Sequence, residues 1–370
     1  MKKGRLYNII RWLTPYGIVS SYVEKNYRRR HDFIERFKQY VESRQKCDLV
    51  EDFPYETIVS VNGFGYSGSG AVVDLLREYD STHVIGFVDD EGSVASHDFK
   101  CDEVDVLRLA GGLFEVEKYI GLNNVFQNDA LLHRMAALFE NSDIYKNNPS
   151  IRPYCFEFMS HICEALTDTP SGQDYNQHIN YHGANDILFL KDFTVTEYRD
   201  WCRKLLNSIF SVICQATGGK PILVLDQIVN DFEFDIERYR DYIPNIKIIM
   251  VYRDPRDVYT FAKNSDIDWI PHKSVEVFVK WYKIFTKHFS IQEKKKYLVV
   301  QFENLVCNYE ETKSVIEQYV GLNSSSHVRK GTCLDISKSK QNLCIWWRNP
   351  DMKDACAEIH HHLSKLCYNN

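Results

Sequence analysis

The stretch from Thr57 to Tyr79, TIVSVNGFGYSGSGAVVDLLREY, joins a buried-strand pattern to a glycine- and serine-rich loop and then, without a break, to an amphipathic helix. That layout is a cradle for an anion. Gly63, Gly65, Gly68 and Gly70 are free to adopt backbone angles closed to other residues, so successive N–H groups can turn toward a ligand, and Ser67 and Ser69 add hydroxyl donors. Ala71 follows at the start of the helix, whose N–H groups and positive dipole end lie next to the loop.

The loop lacks the lysine of the GxxxxGK[ST] form, since Gly70 is followed by Ala71, and this disfavours an ATP or GTP machine of the common type. Gly63, Gly65 and Gly68 also satisfy GxGxxG, a weak match when taken alone.

The chain has 370 residues, 44% of them hydrophobic and 26% charged, which fits a soluble globular protein with one core α/β domain and insertions. Its net charge of −6 argues against a general nucleic-acid binder, and the basic runs Tyr27–Arg30 and Lys294–Lys296 read as solvated faces first and as local anion or membrane contacts second. The eleven cysteines are odd in number and form no CxxC, so reduced thiols and a cytoplasmic setting fit better than a disulfide framework. The N-terminal segment is basic and apolar, but Arg11 and Pro15 break it before it reaches the length of a signal peptide or a membrane span. Two placements suit it: peripheral contact with an anionic membrane surface, or docking on the body of the protein.

Short β-rich runs alternate with longer helical patterns, the sequence form of a central parallel sheet flanked by helices. The expected strands are 57–62, 83–87, 222–225, 247–252 and 297–301. Long helices are expected over 196–217, stopping at Gly218-Gly219, and over 274–290. Residues 92–170 read as helices and loops, the place where substrate selection usually lives. The expected organisation is an N-terminal helical extension over 1–50, an α/β domain over 51–350 with a helical insertion at about 92–195, and a C-terminal helix and tail over 351–370.

Open parallel sheets bind ligands beyond the carboxyl ends of their strands. The first strand ends in the Gly63 loop, the third in Asp226-Gln227, and the fourth in Arg253-Asp254-Pro255-Arg256-Asp257. An arginine at a strand end, with a proline suited to a helix's first position, puts a forked cation on the same rim as the glycine loop. His360-His361-His362 project about 100° apart on a helix and cannot converge on one ion, so no metal is expected.

The lysine-free loop together with RDPRDV at a strand end resembles the sulfotransferase family, whose donor is 3′-phosphoadenosine 5′-phosphosulfate. The resemblance runs from about Thr57 to Trp347. It implies the P-loop-like sulfotransferase architecture, with the 5′-phosphosulfate held by the loop at Gly65, Tyr66, Ser67, Gly68, Ser69, Gly70 and Ala71, and the 3′-phosphate held by Arg253. A late basic segment, Ser337 to Trp347 (SKSKQNLCIWW), looks like the carbohydrate and bacterial form, which implies donor contacts from Ser339, Lys340 and Trp347. An acidic segment, Glu103 to Arg108 followed by Gly111-Gly112, looks like one found after the first helix in some bacterial members. Carbohydrate members often carry a glutamate base after their first βα unit, which makes Glu103 the first candidate for that role.

Two positions depart from the family. Tyr66 stands where a lysine commonly precedes the Ser-Gly pair, and Phe261 stands where a helper serine follows Arg253 by eight residues, with Thr260 beside it as a substitute. Lys340, Arg256 and Arg108 are the candidates to replace the missing cation.

Sulfuryl transfer needs alignment, charge stabilisation and a base for the acceptor hydroxyl. Besides Glu103, the candidates for that base are Asp226, Asp89 and His97. Ser67 is expected to join Glu103 and Asp226 at the reacting centre. The expected function is therefore sulfuryl transfer to a hydroxyl of a glycan, a bacterial surface or capsular polysaccharide or its precursor. The rivals are an ATP-dependent small-molecule kinase and a catalytically inactive nucleotide-binding protein of polysaccharide assembly.

Overall fold

The computed structural model describes residues 33, 35–37, 39–43, 46–85, 112–120, 125–127, 135–140, 142–164, 166–167, 187–190, 194–229, 236–287 and 297–368. The chain divides into two compact units, one of residues 1–51, 104–106 and 111–209, the other of 52–103, 107–110 and 210–370.

The second unit carries the sheet. Its elements are β1 (Thr57–Gly63), α1 (Ser69–Arg77), β2 (Thr82–Ile85), β3 (Ile222–Asp226), α2 (Ile236–Tyr242), β4 (Ile246–Tyr252), α3 (Pro255–Asn264), α4 (Val275–Thr286), β5 (Leu298–Gln301), α5 (Phe302–Cys307), α6 (Tyr309–Val320), α7 (Ile336–Lys340) and α8 (Lys353–Leu363). The strands lie in the order β2-β3-β1-β4-β5, and every pairing is parallel. The central parallel sheet flanked by helices is thus as the sequence pattern predicts. Five residues of β1, Ile58 to Asn62, are buried because neighbouring strands and covering helices enclose this central strand.

This order places a topological switch between β1 and β4. The chain leaves β1 for the β2 side and reaches β4 and β5 on the other, so the loops after β1 and β4 diverge and open a crevice. Gly63 of β1 is in register with Val251 of β4, two residues before Arg253. On the other flank, Val61 pairs with Asp226, the last residue of β3.

One core cluster joins Val59, Val61, Val72 and Leu76 to Val224, Ile249, Val251, Leu305 and Ile316. A second gathers Phe64, Val258, Phe278, Tyr282, Ile359 and Leu363, so the first side chain of the glycine loop is anchored among α3, α4 and α8. The Phe64 ring meets Tyr282 edge-on at 4.9 Å and lies near-parallel to Phe285 at 5.3 Å. Aromatic pairs of this kind add to the stabilisation from burial alone.

The first unit has its own aromatic core, in which Phe33 stacks on Phe139 at 5.6 Å and Phe156 lies 5.4 Å from Phe33. It contains helices Leu113–Ile120, Asp143–Asn147 and Arg152–Glu164. It also contains a small antiparallel sheet of Val125–Gln127, Ile187–Leu190 and Leu166–Thr167, the first and last of which fall within 92–170, where the sequence pattern predicts helices and loops alone. Strands this short carry no detectable alternation.

Helix Val195–Ala216 begins with a capping box: Glu197 accepts the Thr194 N–H at 2.7 Å, and the Thr194 hydroxyl accepts the Glu197 N–H at 3.2 Å. It ends where Gly218 and Gly219 take φ of +82° and +71°, the stop that the sequence predicts. Among the described residues, no helix is long and apolar enough to cross a membrane.

Candidate functional site

The glycine loop is built from inward and outward side chains in turn. Phe64 is buried, and Tyr66, at φ +59°, turns its ring outward. Ser67 is folded back beneath the backbone, with its N–H donating to the Phe64 carbonyl at 3.0 Å. Its Oγ sits only 1.9 Å from where a β-carbon on Gly63 would stand, so Gly63 is required for close approach. That hydroxyl is buried and has no hydrogen-bond partner. Gly68 caps α1 at φ +87° with the Phe302 ring 2.4 Å from its would-be β-carbon, and here both the conformation and the space demand glycine. Gly70, by contrast, has nothing within 4 Å of that position.

The loop's donors are divided between structure and solvent. The Gly63 N–H donates to Gln227 Oε1 at 3.2 Å, and Gln227 Nε2 donates to Ser69 Oγ at 2.9 Å. Gln227 reaches both by adopting φ +59° after β3, where its own N–H donates to Val61 at 2.9 Å. The amides of Gly65, Gly68, Ser69 and Gly70 have no acceptor among the described residues. Because Ser69 Oγ accepts from Gln227, its proton is left to donate to an incoming anion. These amides and that hydroxyl, at the start of a nine-residue helix, are an arrangement able to receive an anion.

Across the crevice, Arg253 follows β4 and is only 5% exposed. One Nη2 hydrogen bond goes to the Asn342 carbonyl, and Asp257 Oδ2 lies 3.9 Å away. Arg253 Nε is buried with no partner. Burial lowers the guanidinium's pKa, while Asp257, Glu303 and Asp254 act against that shift. This is a desolvated cation whose compensation is incomplete, the state expected of a group that waits for an anionic ligand.

Arg256 is different. Its Nε lies 3.0 Å from Asp254 Oδ1, its Nη2 also reaches the Asp254 carboxylate, and it donates to the Tyr368 carbonyl at 2.9 Å. Asp254 caps α3 through the Arg256 N–H at 2.8 Å, with Pro255 at the first helical position. Arg256 is therefore committed to tying the C-terminal tail to the end of β4.

Asp257 receives the N–H groups of Cys344 at 2.8 Å and Trp346 at 3.2 Å, and so fastens the late basic segment to α3. Burial pushes its pKa up to about 6 despite the nearby Arg253. Glu303 is also buried, accepting the Asp254 N–H at 2.8 Å through Oε1 while Oε2 has no partner, and burial pushes it up to about 7.

The late segment thus lies against Arg253 and Asp257. Ser339 and Lys340 close α7, with Lys340 exposed, and Trp347 is 76% exposed. Trp346 instead packs its ring 4.2 Å from the Arg256 guanidinium. Thr260 is fully buried with its hydroxyl 3.7 Å from Cys356 Sγ, so it faces α8 and not the loop. Phe261, one helical step away, rests on the Tyr66 ring at 4.4 Å. Asp226 stands half-buried at the end of β3, beside the Gln227 clamp. Glu103, Asp89, His97 and Arg108 lie outside the described residues.

Gln227 and Glu303 also shape the site, and neither stands out as a motif in the sequence. The one available signal was position: Gln227 directly follows a strand end.

No family model and no curated protein matches the chain. Among solved structures it is similar to sulfotransferase STF1 from Mycobacterium tuberculosis H37Rv, with 10% identity, 85% of this chain and 81% of that chain covered, and a TM-score of 0.34. It is also similar to sulfotransferase STF9 from Mycobacterium avium, with 9% identity, 90% and 80% covered, and a TM-score of 0.34.

Proposed function

We propose that this chain transfers the sulfuryl group of 3′-phosphoadenosine 5′-phosphosulfate to a hydroxyl of a glycan, a bacterial surface or capsular polysaccharide or its precursor. The observation that carries the proposal is the pairing, on adjacent strands, of a glycine loop with spare amides and a buried arginine with an unpartnered Nε. Two anion-binding features on one rim suit a donor that is charged at both ends.

The amides of Gly65, Gly68, Ser69 and Gly70 and the Ser69 hydroxyl hold the phosphosulfate, and Arg253 holds the 3′-phosphate. The donor supplies an activated sulfuryl group: the acceptor oxygen–sulfur bond forms as the sulfur–oxygen bond to the 5′-phosphate breaks. The loop's donors stabilise the charge left on the phosphate, a type of interaction worth roughly 3 to 4 kcal/mol per donor. The proton of the acceptor hydroxyl passes to a carboxylate, Asp226 beside the loop or Glu103 as the family resemblance implies. Ser67, with its hydroxyl beneath the backbone, supports the loop from below.

Tyr66 in place of a loop lysine, with Arg256 committed to Asp254 and Tyr368, favours one second reading, a protein that binds the nucleotide without turnover. Transfer of radiolabelled sulfate from the donor to a panel of glycans, phenols and lipids separates the two. Labelled glycan with release of 3′-phosphoadenosine 5′-phosphate supports the proposal; label on a phenol or lipid alone removes the glycan, and nucleotide binding with no label anywhere supports the inactive protein. Phosphate transfer from ATP in the parallel assay would instead identify a kinase.

A further inference from the structure

The two positions that depart from the family pattern, Tyr66 and Phe261, are in contact with one another, at 4.4 Å between ring centroids. They are one feature, and a third ring completes it. Trp269 lies nearly parallel to Tyr66, with centroids 5.7 Å apart and planes at 19°. Tyr66 is 41% exposed and Trp269 59% exposed, so the rings form an open ledge. The ledge starts at the anion loop itself, because the indole lies 1.6 Å from where a β-carbon on Gly65 would stand.

The ledge is held in place from beneath. Ile270, next to Trp269, is fully buried, and His272 is only 5% exposed. The His272 ring bonds the carbonyls of Ile267 and Ile270 through Nδ1 at 3.1 Å and Asp266 Oδ1 through Nε2 at 3.1 Å. Tyr66 keeps a left-handed backbone that costs a non-glycine residue about 1 kcal/mol or more, strain of the kind that collects at ligand sites. An exposed indole on a fixed segment, beside a strained tyrosine, is a built surface.

Its surroundings indicate what it takes. Asp268 is exposed and the Asp266 carboxylate is 84% exposed, while Lys263 and Lys273 are exposed along the same segment, so the charges around the ledge balance. Balanced charge gives phosphate or anionic lipid no net attraction here and suits a neutral ligand. Carboxylates accept hydrogen bonds from hydroxyls, and flat aromatic faces cover the apolar C–H face of a sugar ring.

We propose that the Tyr66–Trp269 ledge is the acceptor subsite and stacks on the apolar face of a neutral pyranose ring. The proposal rests on the sulfuryl-transfer reading and adds the surface that selects the acceptor. A ring seated there presents its hydroxyls toward the loop, the alignment that in-line transfer needs.

The test uses the full chain as wild type, Trp269→Ala, Trp269→Phe and Asp268→Asn, fluorescently labelled and applied to an array of neutral and acidic oligosaccharides. Each protein is also titrated with 3′-phosphoadenosine 5′-phosphate, and its folding is checked by circular dichroism. The wild type is expected to retain neutral glycans, with affinity falling about tenfold or more in Trp269→Ala and largely kept in Trp269→Phe. Nucleotide affinity stays the same in all four proteins. Binding of the nucleotide with no neutral glycan retained would overturn the proposal, as would joint loss of nucleotide and glycan in Trp269→Ala, which would assign the ledge to the donor. Trp269-dependent glycan binding without nucleotide binding would support the ledge as a sugar site and overturn the donor reading.

Discussion

Replacing Arg253 with methionine should separate a ligand-binding arginine from a structural one, because the two roles predict opposite pairs of results. In the folded protein Arg253 has one hydrogen bond to Asn342 and a carboxylate 3.9 Å away. At an effective dielectric constant of about 20 that separation is worth about 4 kcal/mol, and taking the cation out of water costs several kcal/mol in return. Losing the hydrogen bond costs roughly 1.5 to 3 kcal/mol, and methionine packing near the Phe302 ring offsets part of it.

Asp257 is not stranded by the change. It keeps two N–H donors, and a carboxyl already pushed up to about 6 takes a proton readily once the cation has gone. The net cost in stability should therefore be under about 2 kcal/mol. Affinity for 3′-phosphoadenosine 5′-phosphate should fall by about 3 to 6 kcal/mol, roughly a hundredfold to ten-thousandfold, with the loss of two charge-assisted hydrogen bonds to a phosphate. Urea denaturation gives the first quantity and calorimetric titration the second. A variant that loses about 4 kcal/mol or more of stability yet binds the nucleotide unchanged would refute the argument.

Stability should depend on pH around this cluster. Glu303 at about 7 and Asp257 at about 6 both lie above their unfolded values, so the stability they contribute is full below about pH 4. It is lost as pH rises through 6 and 7, on the order of 3 kcal/mol between pH 5 and pH 8. Glu303→Gln should flatten that slope in urea melts at the two pH values, and an equal slope in the variant would contradict the assignment. Gly68→Ala should cost about 2 to 4 kcal/mol through left-handed strain and the clash with Phe302, whereas Gly70→Ala should be close to neutral, and equal effects at the two positions would undo the loop description. Gln227→Ala should cost about 1 to 2 kcal/mol and weaken nucleotide binding, since it releases both Gly63 and Ser69; unchanged affinity would show that the clamp does not order the loop.

The sheet was legible because its strands are contiguous apolar runs ending in turn signals, and each expected strand has its counterpart. The loop and the strand-end arginine were legible as a pair because the parallel topology sets neighbouring strand ends side by side. The roles of the individual glycines were not, since they depend on what stands opposite: Ser67 at Gly63, Trp269 at Gly65 and Phe302 at Gly68. Nor was the direction of Thr260, because a single helical step turns the chain by about 100° and exchanges a contact with the loop for one with α8. Gln227 and Trp269 act through a left-handed backbone and a tertiary contact, and neither leaves a periodic trace.

The most direct test of the account is a calorimetric titration of the full chain with 3′-phosphoadenosine 5′-phosphate beside ATP. The account predicts affinity in the range of about 1 μM, near −8 kcal/mol, for the 3′-phosphorylated nucleotide and much weaker binding of ATP. No binding, or a preference for ATP, would contradict it.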